Sequence, residues 1–235
     1  MTLLSTRGLT KTFAGLQAVT NVDFDLPKGE VRALIGPNGA GKTTLVGMIC
    51  GRLAPTSGTV TFEDRVITDL PAHKRVQLGI AYTFQITSVF PRLSVRENVA
   101  LAARRHIPKP DVQAAVDSAL ERVGLKNRID EDAGNLSYGH QRLLEIAMGF
   151  VQQPRLLILD EPTQGLADSE IESFKALIND LRKVTTILLI EHNMSVVMEL
   201  ADRVTVLNFG ELLAEGTPQQ IHENAEVQAA YLGKG

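Results

Sequence analysis

The glycine-rich segment GPNGAGKT, residues 36–43, matches the phosphate-binding pattern G-x-x-x-x-G-K-[ST] at every position. It follows a continuous apolar run, VRALI, and leads into an amphipathic stretch, TTLVGMI. In such a loop the backbone N–H groups surround phosphate oxygens, and the N-terminus of the following helix adds a partial positive charge. Lys42 is therefore predicted to reach the β- and γ-phosphates of a nucleotide, and Thr43 to ligate Mg²⁺. The residues predicted to line this site are Gly36, Pro37, Asn38, Gly39, Ala40, Gly41, Lys42, Thr43 and Thr44.

Two carboxylates end a second apolar run, RLLILDEP at residues 155–162. Ligands of open α/β sheets bind at the carboxyl ends of the strands, where Asp160 and Glu161 would lie. Asp160 suits the Mg²⁺ shell, directly or through water. Glu161 is predicted to orient the attacking water and to accept its proton. Alone, such a pair fits a polar strand edge equally well, but beside a phosphate loop it indicates hydrolysis.

Two further polar residues follow strand-like segments. Gln85 follows IAYTF, and His192 ends TILLIEH. Both positions are predicted at strand carboxyl ends, where the side chains could sense the γ-phosphate. A lone glutamine or histidine is more often a plain surface residue, so the two positions together carry this hypothesis.

The stretch LSYGHQ, residues 136–141, precedes an amphipathic segment, RLLEIAMGFV. Leu143, Ile146, Ala147, Phe150 and Val151 have the spacing of one buried helix face. LSYGHQ is thus predicted at a helix N-terminus, which can bind an anion or can simply carry an N-cap serine. Because the chain already has a phosphate loop, a second anion site makes most sense over a phosphate held by another subunit.

The elements that would position these residues alternate between strand and helix patterns. Buried, non-alternating strands joined by helices predict a parallel sheet covered on both faces, and a mainly helical stretch near 94–150 predicts a subdomain inserted into it. Strands are predicted at 3–9, 22–26, 31–35, 59–62, 66–67, 80–84, 156–159 and 185–190, with helices after the glycine-rich loop, near 95–99, at 112–123 and near 168–183.

Composition limits the classes of function. The formal charge of −3, from 24 basic and 27 acidic residues, provides no broad positive field and predicts no nucleic-acid partner. The single cysteine, Cys50, excludes an internal disulfide and is predicted to fill space on a helix. No apolar run approaches the ~20 residues of a membrane span, and the N-terminus lacks a signal-peptide pattern. The sequence thus predicts a cytosolic chain, unless a partner holds it at a membrane.

Taken together and in this order, the motifs resemble those of the ATP-binding subunit of ABC transporters over nearly the whole chain. GPNGAGKT is similar to the Walker A loop, LLILDE to the Walker B strand, Gln85 to the Q-loop residue and His192 to the switch histidine. LSYGHQ resembles the signature LSGGQ, which contacts ATP on the opposing subunit. The resemblance implies that Ser137, Gly139 and His140 touch that ATP, that Gln85 also ligates Mg²⁺, and that Phe13 stacks on adenine. For Phe13 the alternative is a strand core residue.

The resemblance also implies a fold and a division of the chain. The fold class is α/β, a RecA-like P-loop NTPase with a parallel-sheet core, an N-terminal antiparallel β subdomain and an inserted α-helical subdomain. The whole chain forms one ATP-binding domain, with residues 1–85 and 151–235 as the α/β core. Residues 86–150 form the helical subdomain and carry the signature.

This sequence departs from the family pattern at three positions. Tyr138 replaces the usual glycine of the signature, and His140 replaces its glutamine. In the D-loop after Walker B, Ala167 occupies the usual acidic or amide position, with Asp168 one residue later. These departures concern the contacts between subunits and the communication between the two ATP sites.

Within the superfamily, the chain looks most similar to the ATPases of branched-chain amino acid importers. The resemblance rests on five segments: AYTFQ, LSYGHQRLLEIAM, TILLIEHNMSVVMELADRVTVLN, AEGTPQQI and VQAAYLG. It implies a second ATPase subunit (a homo- or heterodimer), transmembrane permease subunits and, indirectly, a periplasmic or surface solute-binding protein. The chain would then lie at the cytoplasmic face of the membrane, held by the permeases, which Val89 and Phe90 are predicted to contact. For Phe90 the alternative is that it anchors the helical insert to the core. Importers of urea, amides or aromatic acids, and lipopolysaccharide export, are the alternatives.

Three classes of function compete at this point. The first is a transport ATPase, which couples ATP binding and hydrolysis to dimer closure and opening. The second is a non-transport relative in translation or DNA repair, which usually has two fused ATPase units or a long coiled-coil insert. The third is a nucleotide-binding regulator without turnover, which the presence of Lys42, Asp160, Glu161 and His192 disfavours.

Overall fold

The computed structural model of the chain describes residues 1–83, 88–104 and 107–232. Contacts within the chain define two compact units. Unit 1 combines residues 1–78 with the segment from Thr186 onward, and unit 2 consists of residues 79–185. The predicted division at residues 85 and 150 stays a prediction.

Unit 1 contains an antiparallel sheet with the strand order β2-β1-β4-β5. The long strands β1 and β2 pair around Leu4↔Leu26 and Leu9↔Val22, and all four of these side chains are buried. The predicted N-terminal strands and the short hairpin are thereby confirmed. The strand bounds are Thr2–Phe13 for β1, Leu16–Pro27 for β2, Ser57–Phe62 for β4 and Arg65–Val66 for β5.

Unit 1 also contains four strands in the order β10-β9-β3-β8. The central strand β3 is buried at all five positions and pairs in parallel with β8 and β9, while β10 adds an antiparallel edge. The strand bounds are Val31–Ile35 for β3, Thr186–Ile190 for β8, Arg203–Asn208 for β9 and Glu211–Gly216 for β10. The helix bounds are Lys42–Ile49 for α1, Ala72–Gln77 for α2, Met194–Leu200 for α7, Pro218–His222 for α8 and Ala225–Leu232 for α9.

Unit 2 contains the parallel strands β6 and β7, which pair in register from Ile80↔Leu156 to Thr83↔Leu159. Helices α3, α4 and α5 contact one another, which agrees with the helical subdomain expected in this part of the chain. The strand bounds are Ile80–Thr83 for β6 and Leu156–Asp160 for β7. The helix bounds are Val95–Ala103 for α3, Val112–Arg122 for α4, Tyr138–Phe150 for α5 and Asp168–Leu181 for α6.

The signature helix α5 differs from its predicted burial pattern. Leu143 and Phe150 are only partly buried, whereas Leu144 and two charged residues, Arg142 and Glu145, are buried. The apolar spacing missed this because the two charges form an ion pair, Nη1 to Oε2 at 3.0 Å, that makes their burial tolerable. Helix α5 therefore has charged as well as apolar residues in the interior of unit 2.

The lengths of the helices bear on membrane insertion. In residues 1–83, 88–104 and 107–232, no helix is both long enough and apolar enough to cross a bilayer. The longest helix in these ranges, α6, has 14 residues, fewer than the ~20 that a span requires.

Cys50, predicted to fill space on a helix, is buried at the C-terminal end of α1.

Candidate nucleotide-binding and hydrolysis site

The glycine-rich loop joins the carboxyl end of β3 to the N-terminus of α1, as its sequence context predicts. Gly36 has φ +152°, and a Cβ there would collide with the carbonyl oxygen of Leu207. Gly41 has φ +98°, and its Cβ would lie 2.5 Å from the carbonyl oxygen of Ala18. Neighbouring backbone thus encloses the loop so closely that only glycine fits at both positions.

Lys42 folds back onto this loop. Its side chain is buried, and Nζ donates hydrogen bonds to the carbonyl oxygens of Gly36, at 2.7 Å, and Pro37, at 3.1 Å. The backbone N–H of Gly210 donates to the carbonyl oxygen of Ala40 at 3.0 Å and so ties the loop to the turn between β9 and β10. A fixed ammonium group therefore lies within the curve of the loop, as phosphate binding requires.

The N-terminus of α1 is suited to an anion. Within the described ranges, no side chain caps this helix and no acidic residue lies in its first turn. The N-cap residue is Gly41, and the Thr43 side chain is exposed while that of Thr44 is partly buried. Since the first backbone N–H groups of a helix attract negative charge, a phosphate or a nucleotide is the fitting partner.

Phe13, the predicted adenine-stacking residue, ends β1 and has 43% of its surface exposed. Its ring lies 5.0 Å from Nζ of Lys11, within cation–π range. Phe13 is therefore not the buried strand residue that the alternative interpretation required. An exposed ring of this kind is available to stack on a flat ligand.

His192 follows β8 on the strand edge from which the phosphate loop also leaves. Leu34 of β3 pairs with Ile190 of β8, so Gly36 and His192 follow neighbouring parallel strands. The buried carboxylate of Glu191 accepts the backbone N–H groups of His192, at 3.0 Å, and Asn193, at 3.1 Å. The turn is thereby fixed while the imidazole remains exposed.

Asp160 ends β7 and is only 3% exposed. The Tyr82 hydroxyl on the neighbouring strand donates to its Oδ2 at 2.6 Å. This contact fixes the orientation of the carboxylate. A buried, oriented carboxylate oxygen is a suitable Mg²⁺ ligand.

Glu161 follows immediately and has an unusual backbone conformation, with φ +47°. Residues other than glycine rarely adopt this left-handed backbone conformation, and such outliers often occur at functional sites. The carbonyl oxygen of Glu161 accepts two hydrogen bonds, from Nη2 of Arg142 at 2.9 Å and from the backbone N–H of Gln164 at 3.2 Å. Nη2 of Arg142 also lies 3.2 Å from the carbonyl oxygen of Asp160.

The signature begins α5 with an N-cap. Ser137 Oγ accepts the backbone N–H of His140 at 3.4 Å and lies 2.7 Å from Nδ1 of the same residue. The ring of Tyr138 packs against Gly165, where a Cβ would lie 3.2 Å from Cε1. Gly139 is buried so closely against the Glu170 carboxylate that a Cβ would overlap it. The N-cap interpretation is therefore correct, and the anion-binding role stays a prediction.

Gln85, predicted as the γ-phosphate sensor and Mg²⁺ ligand, lies outside the described residues.

The segment before α3 contains Phe90. Asn98 is fully buried on α3 and bonds to both backbone groups of Phe90, at 2.8 Å from the N–H and 3.1 Å from the carbonyl oxygen. The Phe90 side chain is 48% exposed and the Val89 side chain is partly buried. Backbone contacts therefore fix this segment, and the aromatic ring is left outside the core.

Three residues with roles around the site were not found by sequence reasoning. Arg142 and Glu191 contact backbone groups of predicted site residues. Burial raises the pKa of Tyr231, on α9, to about 12, while a hydrogen bond with the Gly36 backbone acts in the opposite direction. For Arg142 the available signal was a charge within an apolar helix pattern.

Two protein-family models match the chain. Residues 19–164, more than half of it, match the model described as ABC transporter. Residues 211–235 match a second model, described as branched-chain amino acid ATP-binding cassette transporter. The first match includes the phosphate loop, the signature and the strand that ends in Asp160.

Full-length relatives are also found. The chain is 42% identical to the high-affinity branched-chain amino acid transport ATP-binding protein LivG of Escherichia coli (strain K12), over 99% of this chain and 98% of LivG. It is 31% identical to the lipopolysaccharide export system ATP-binding protein LptB of Haemophilus influenzae, over 100% and 98%. Among solved structures, the ADP conformation of MJ1267, an ATP-binding cassette of an ABC transporter, superposes with a TM-score of 0.90, at 29% identity and complete coverage of both chains.

Proposed function

Because this chain belongs to the family of ABC transporter ATP-binding proteins, we propose that it hydrolyses ATP to power the import of branched-chain amino acids. The observation that carries the proposal is the 42% identity to LivG across almost the full length of both chains. The match of residues 211–235 to a branched-chain amino acid transporter model supports the same solute class. The lower identity of 31% to LptB makes lipopolysaccharide export the weaker alternative.

ATP binding is assigned to the loop of residues 36–44 and to Phe13. The inward ammonium of Lys42 would exchange its bonds to the Gly36 and Pro37 carbonyls for bonds to phosphate oxygens. The uncapped N-terminus of α1 adds N–H donors for the same phosphates. The exposed ring of Phe13 provides a face for the adenine.

Mg²⁺ is the second component that we propose. Thr43 offers a hydroxyl oxygen, Asp160 a carboxylate and Gln85 an amide oxygen, all of them hard ligands that suit this ion. When bound, Mg²⁺ polarises the phosphate oxygens and offsets their charge. The hydrogen bond from Tyr82 keeps the Asp160 carboxylate in one orientation for this role.

The hydrolytic step is assigned to Glu161 and His192. Glu161 would hold the attacking water and accept its proton as the oxygen approaches the γ-phosphate. His192 would contact the γ-phosphate and report its loss. The Glu191 carboxylate fixes the backbone that carries His192, so the imidazole can respond without movement of β8.

A second ATP-binding subunit completes each site in this proposal. Ser137, Gly139 and His140 would contact the ATP bound by the partner subunit, and permeases would hold the dimer at the cytoplasmic face of the membrane. Ser137 and His140 form a polar pair at the N-terminus of α5, where a γ-phosphate would gain hydrogen bonds and the helix dipole. The solute-binding protein contacts the permeases, so its contribution to this chain is indirect.

Ser137→Arg is expected to prevent ATP-driven pairing of subunits while leaving the chain's own ATP affinity unchanged. The larger side chain would fill the space that the partner's γ-phosphate must enter. Size-exclusion chromatography of the slow-hydrolysing Glu161→Gln protein, with and without Ser137→Arg, checks this result. Ser118→Arg, at an exposed position on α4, is the matched control. Equal ATP-dependent dimerisation with and without Ser137→Arg would reduce LSYGHQ to a helix cap.

Phe90→Asp is expected to uncouple transport from hydrolysis. The charged side chain would disrupt an apolar contact with a permease, while the Asn98 bonds still hold the backbone of the segment. Leu101→Asp is the matched control, because Leu101 is similarly exposed, at 45%, on α3 of the same unit. Solute uptake by reconstituted vesicles should fall only with Phe90→Asp, and the melting temperature of the isolated chain should be unchanged. A lower melting temperature with normal assembly and uptake would instead favour the interpretation that Phe90 anchors the helical insert and does not contact a permease.

The solute itself is tested in the complete assembly. Solute-binding protein loaded with leucine, isoleucine or valine should stimulate ATP hydrolysis by the reconstituted transporter. Urea, short amides and benzoate, the solutes of the alternative importers, should give only the basal rate. Stimulation by one of these instead of leucine would keep the ATPase assignment and replace the solute.

A further inference from the structure

Arg142 lies on the signature helix, yet its Nη2 donates hydrogen bonds to the segment that carries Glu161. Arg142 is 1% exposed, and its Nη2 lies within 3.2 Å of two consecutive carbonyl oxygens, those of Asp160 and Glu161. Both of these residues belong to the hydrolytic centre assigned above. A buried charged group aimed at two backbone acceptors fixes their position strongly, because hydrogen bonds from charged donors are the stronger kind.

The Glu161 backbone has a conformation that such a contact would hold. Its φ of +47° is rarely adopted by residues with a side chain, so surrounding contacts must maintain it. The Glu161 carbonyl also accepts the N–H of Gln164, which closes the turn after β7. Arg142 thus donates to the same Glu161 carbonyl oxygen that accepts the hydrogen bond closing this turn.

Helix α5 contacts the following segment at two further places. The Tyr138 ring packs on Gly165, and Gly139 lies against the carboxylate of Glu170. That carboxylate in turn accepts the N–H of Ala167 at 2.9 Å, ahead of α6. One face of the first half of α5 therefore contacts the chain at intervals from Asp160 to Glu170.

From these contacts we infer that Arg142 is a positioning residue for hydrolysis, which holds the Glu161 backbone in its left-handed conformation and ties it to the signature helix. A signature that engages the ATP of the partner subunit would thereby fix the Glu161 of its own subunit. Glu145 supports the arrangement, because its carboxylate, 3.0 Å from Nη1, balances the buried charge and orients the guanidinium. The inference rests on the proposed role of Glu161 in hydrolysis.

Two substitutions test the positioning role. Arg142→Lys keeps the charge but replaces a planar group with several donors by a single ammonium group. Arg142→Met with Glu145→Leu replaces the buried pair by apolar side chains and leaves no lone buried carboxylate. In both variants kcat for ATP hydrolysis by the full chain should fall about tenfold, less than the ~100-fold cost of a full 1 Å misplacement. The ATP dissociation constant should stay within about threefold, because a misplaced Glu161 backbone affects the chemical step rather than phosphate binding.

Arg75→Lys is the matched control. Arg75 is also 1% exposed and also donates to backbone carbonyls, those of Met48 and Ile49 among them, but it lies on α2. Its substitution should lower the melting temperature and leave kcat at 25 °C within about twofold of the wild-type value. Comparing the change in kcat with the change in melting temperature for each variant distinguishes a positioning role from a general loss of stability.

A double-mutant cycle separates this inference from the proposed function. In a Glu161→Gln background, Arg142→Lys should cause no further loss of single-turnover hydrolysis, because the residue it positions is already inactive. Three outcomes would overturn the positioning role. The first is an unchanged kcat in both folded Arg142 variants, and the second is failure of both variants to fold. The third is a loss of rate on Arg142→Lys in the Glu161→Gln background as large as the loss in the wild-type background. Normal turnover by Glu161→Gln alone would instead overturn the proposed function.

Discussion

Glu161→Gln should abolish ATP turnover while ATP binding is retained. The amide keeps the size of the side chain but cannot accept a proton from water, and losing a general base typically costs about 10²–10⁴-fold in rate. The phosphates are assigned to the loop of residues 36–44, so the affinity for ATP should be unchanged. Steady-state phosphate release and calorimetric titration with ATP measure the two quantities on the same preparation.

Glu172→Gln is the control for this substitution. Glu172 lies on α6, has a 68% exposed side chain and forms an ion pair with Lys175. The same loss of one carboxylate there should leave the rate within about twofold of wild type. If Glu161→Gln releases phosphate as fast as the control, the assignment of Glu161 is wrong.

Lys42→Ala should weaken ATP binding itself. Hydrogen bonds to charged groups contribute about 1.5–3 kcal/mol each. The buried ammonium of Lys42 is predicted to reach two phosphates, so a loss of about 3 kcal/mol, or ~150-fold in the dissociation constant, is expected. Calorimetric titration with ATP in the presence of excess Mg²⁺ measures the effect directly.

Lys183→Ala is the matched control for charge, since Lys183 is 70% exposed and is paired with Asp180 on the surface. Its ATP affinity should equal that of the wild type. The melting temperature of Lys42→Ala must also be measured without nucleotide, because Nζ bonds to the carbonyls of Gly36 and Pro37. Unchanged ATP affinity in a folded Lys42→Ala protein would contradict the role given to this loop.

The parts of the fold that sequence predicted well are those in which local pattern and motif agree. The run Val31–Ile35 is apolar without interruption, and the structure forms β3 over the same five residues. The glycine-rich loop then fixes where this strand ends and where α1 begins. Full-length similarity to a solved ATP-binding cassette, at a TM-score of 0.90, confirms the P-loop NTPase fold that the motifs implied.

Sequence reasoning was weaker where long-range contacts decide the structure. Residues 194–232 form α7, β9, β10, α8 and α9, yet no element was assigned to them from their pattern. These elements are short, and β10 has an exposed or partly buried side chain at nearly every position. Such a strand exists because β9 pairs with it, and a local pattern does not reveal the partner.

The candidate site shows the same limit. Motif spacing identified four residues at the ends of elements. Lys42 begins α1, Asp160 ends β7, and Glu161 and His192 come after β7 and β8. Motif spacing did not name Arg142 or Glu191, because both act on backbone groups that become neighbours only after folding. The left-handed backbone of Glu161 was likewise invisible, since glutamate has no preference for that conformation.

The most direct test of the account is ATP-dependent uptake of labelled leucine by vesicles that contain this chain, its permeases and a loaded solute-binding protein. The account predicts uptake that requires ATP in the wild-type assembly and disappears with Glu161→Gln, although the variant still binds ATP and still assembles. Leucine uptake that continues with Glu161→Gln, or that does not depend on ATP in the wild-type assembly, would contradict it.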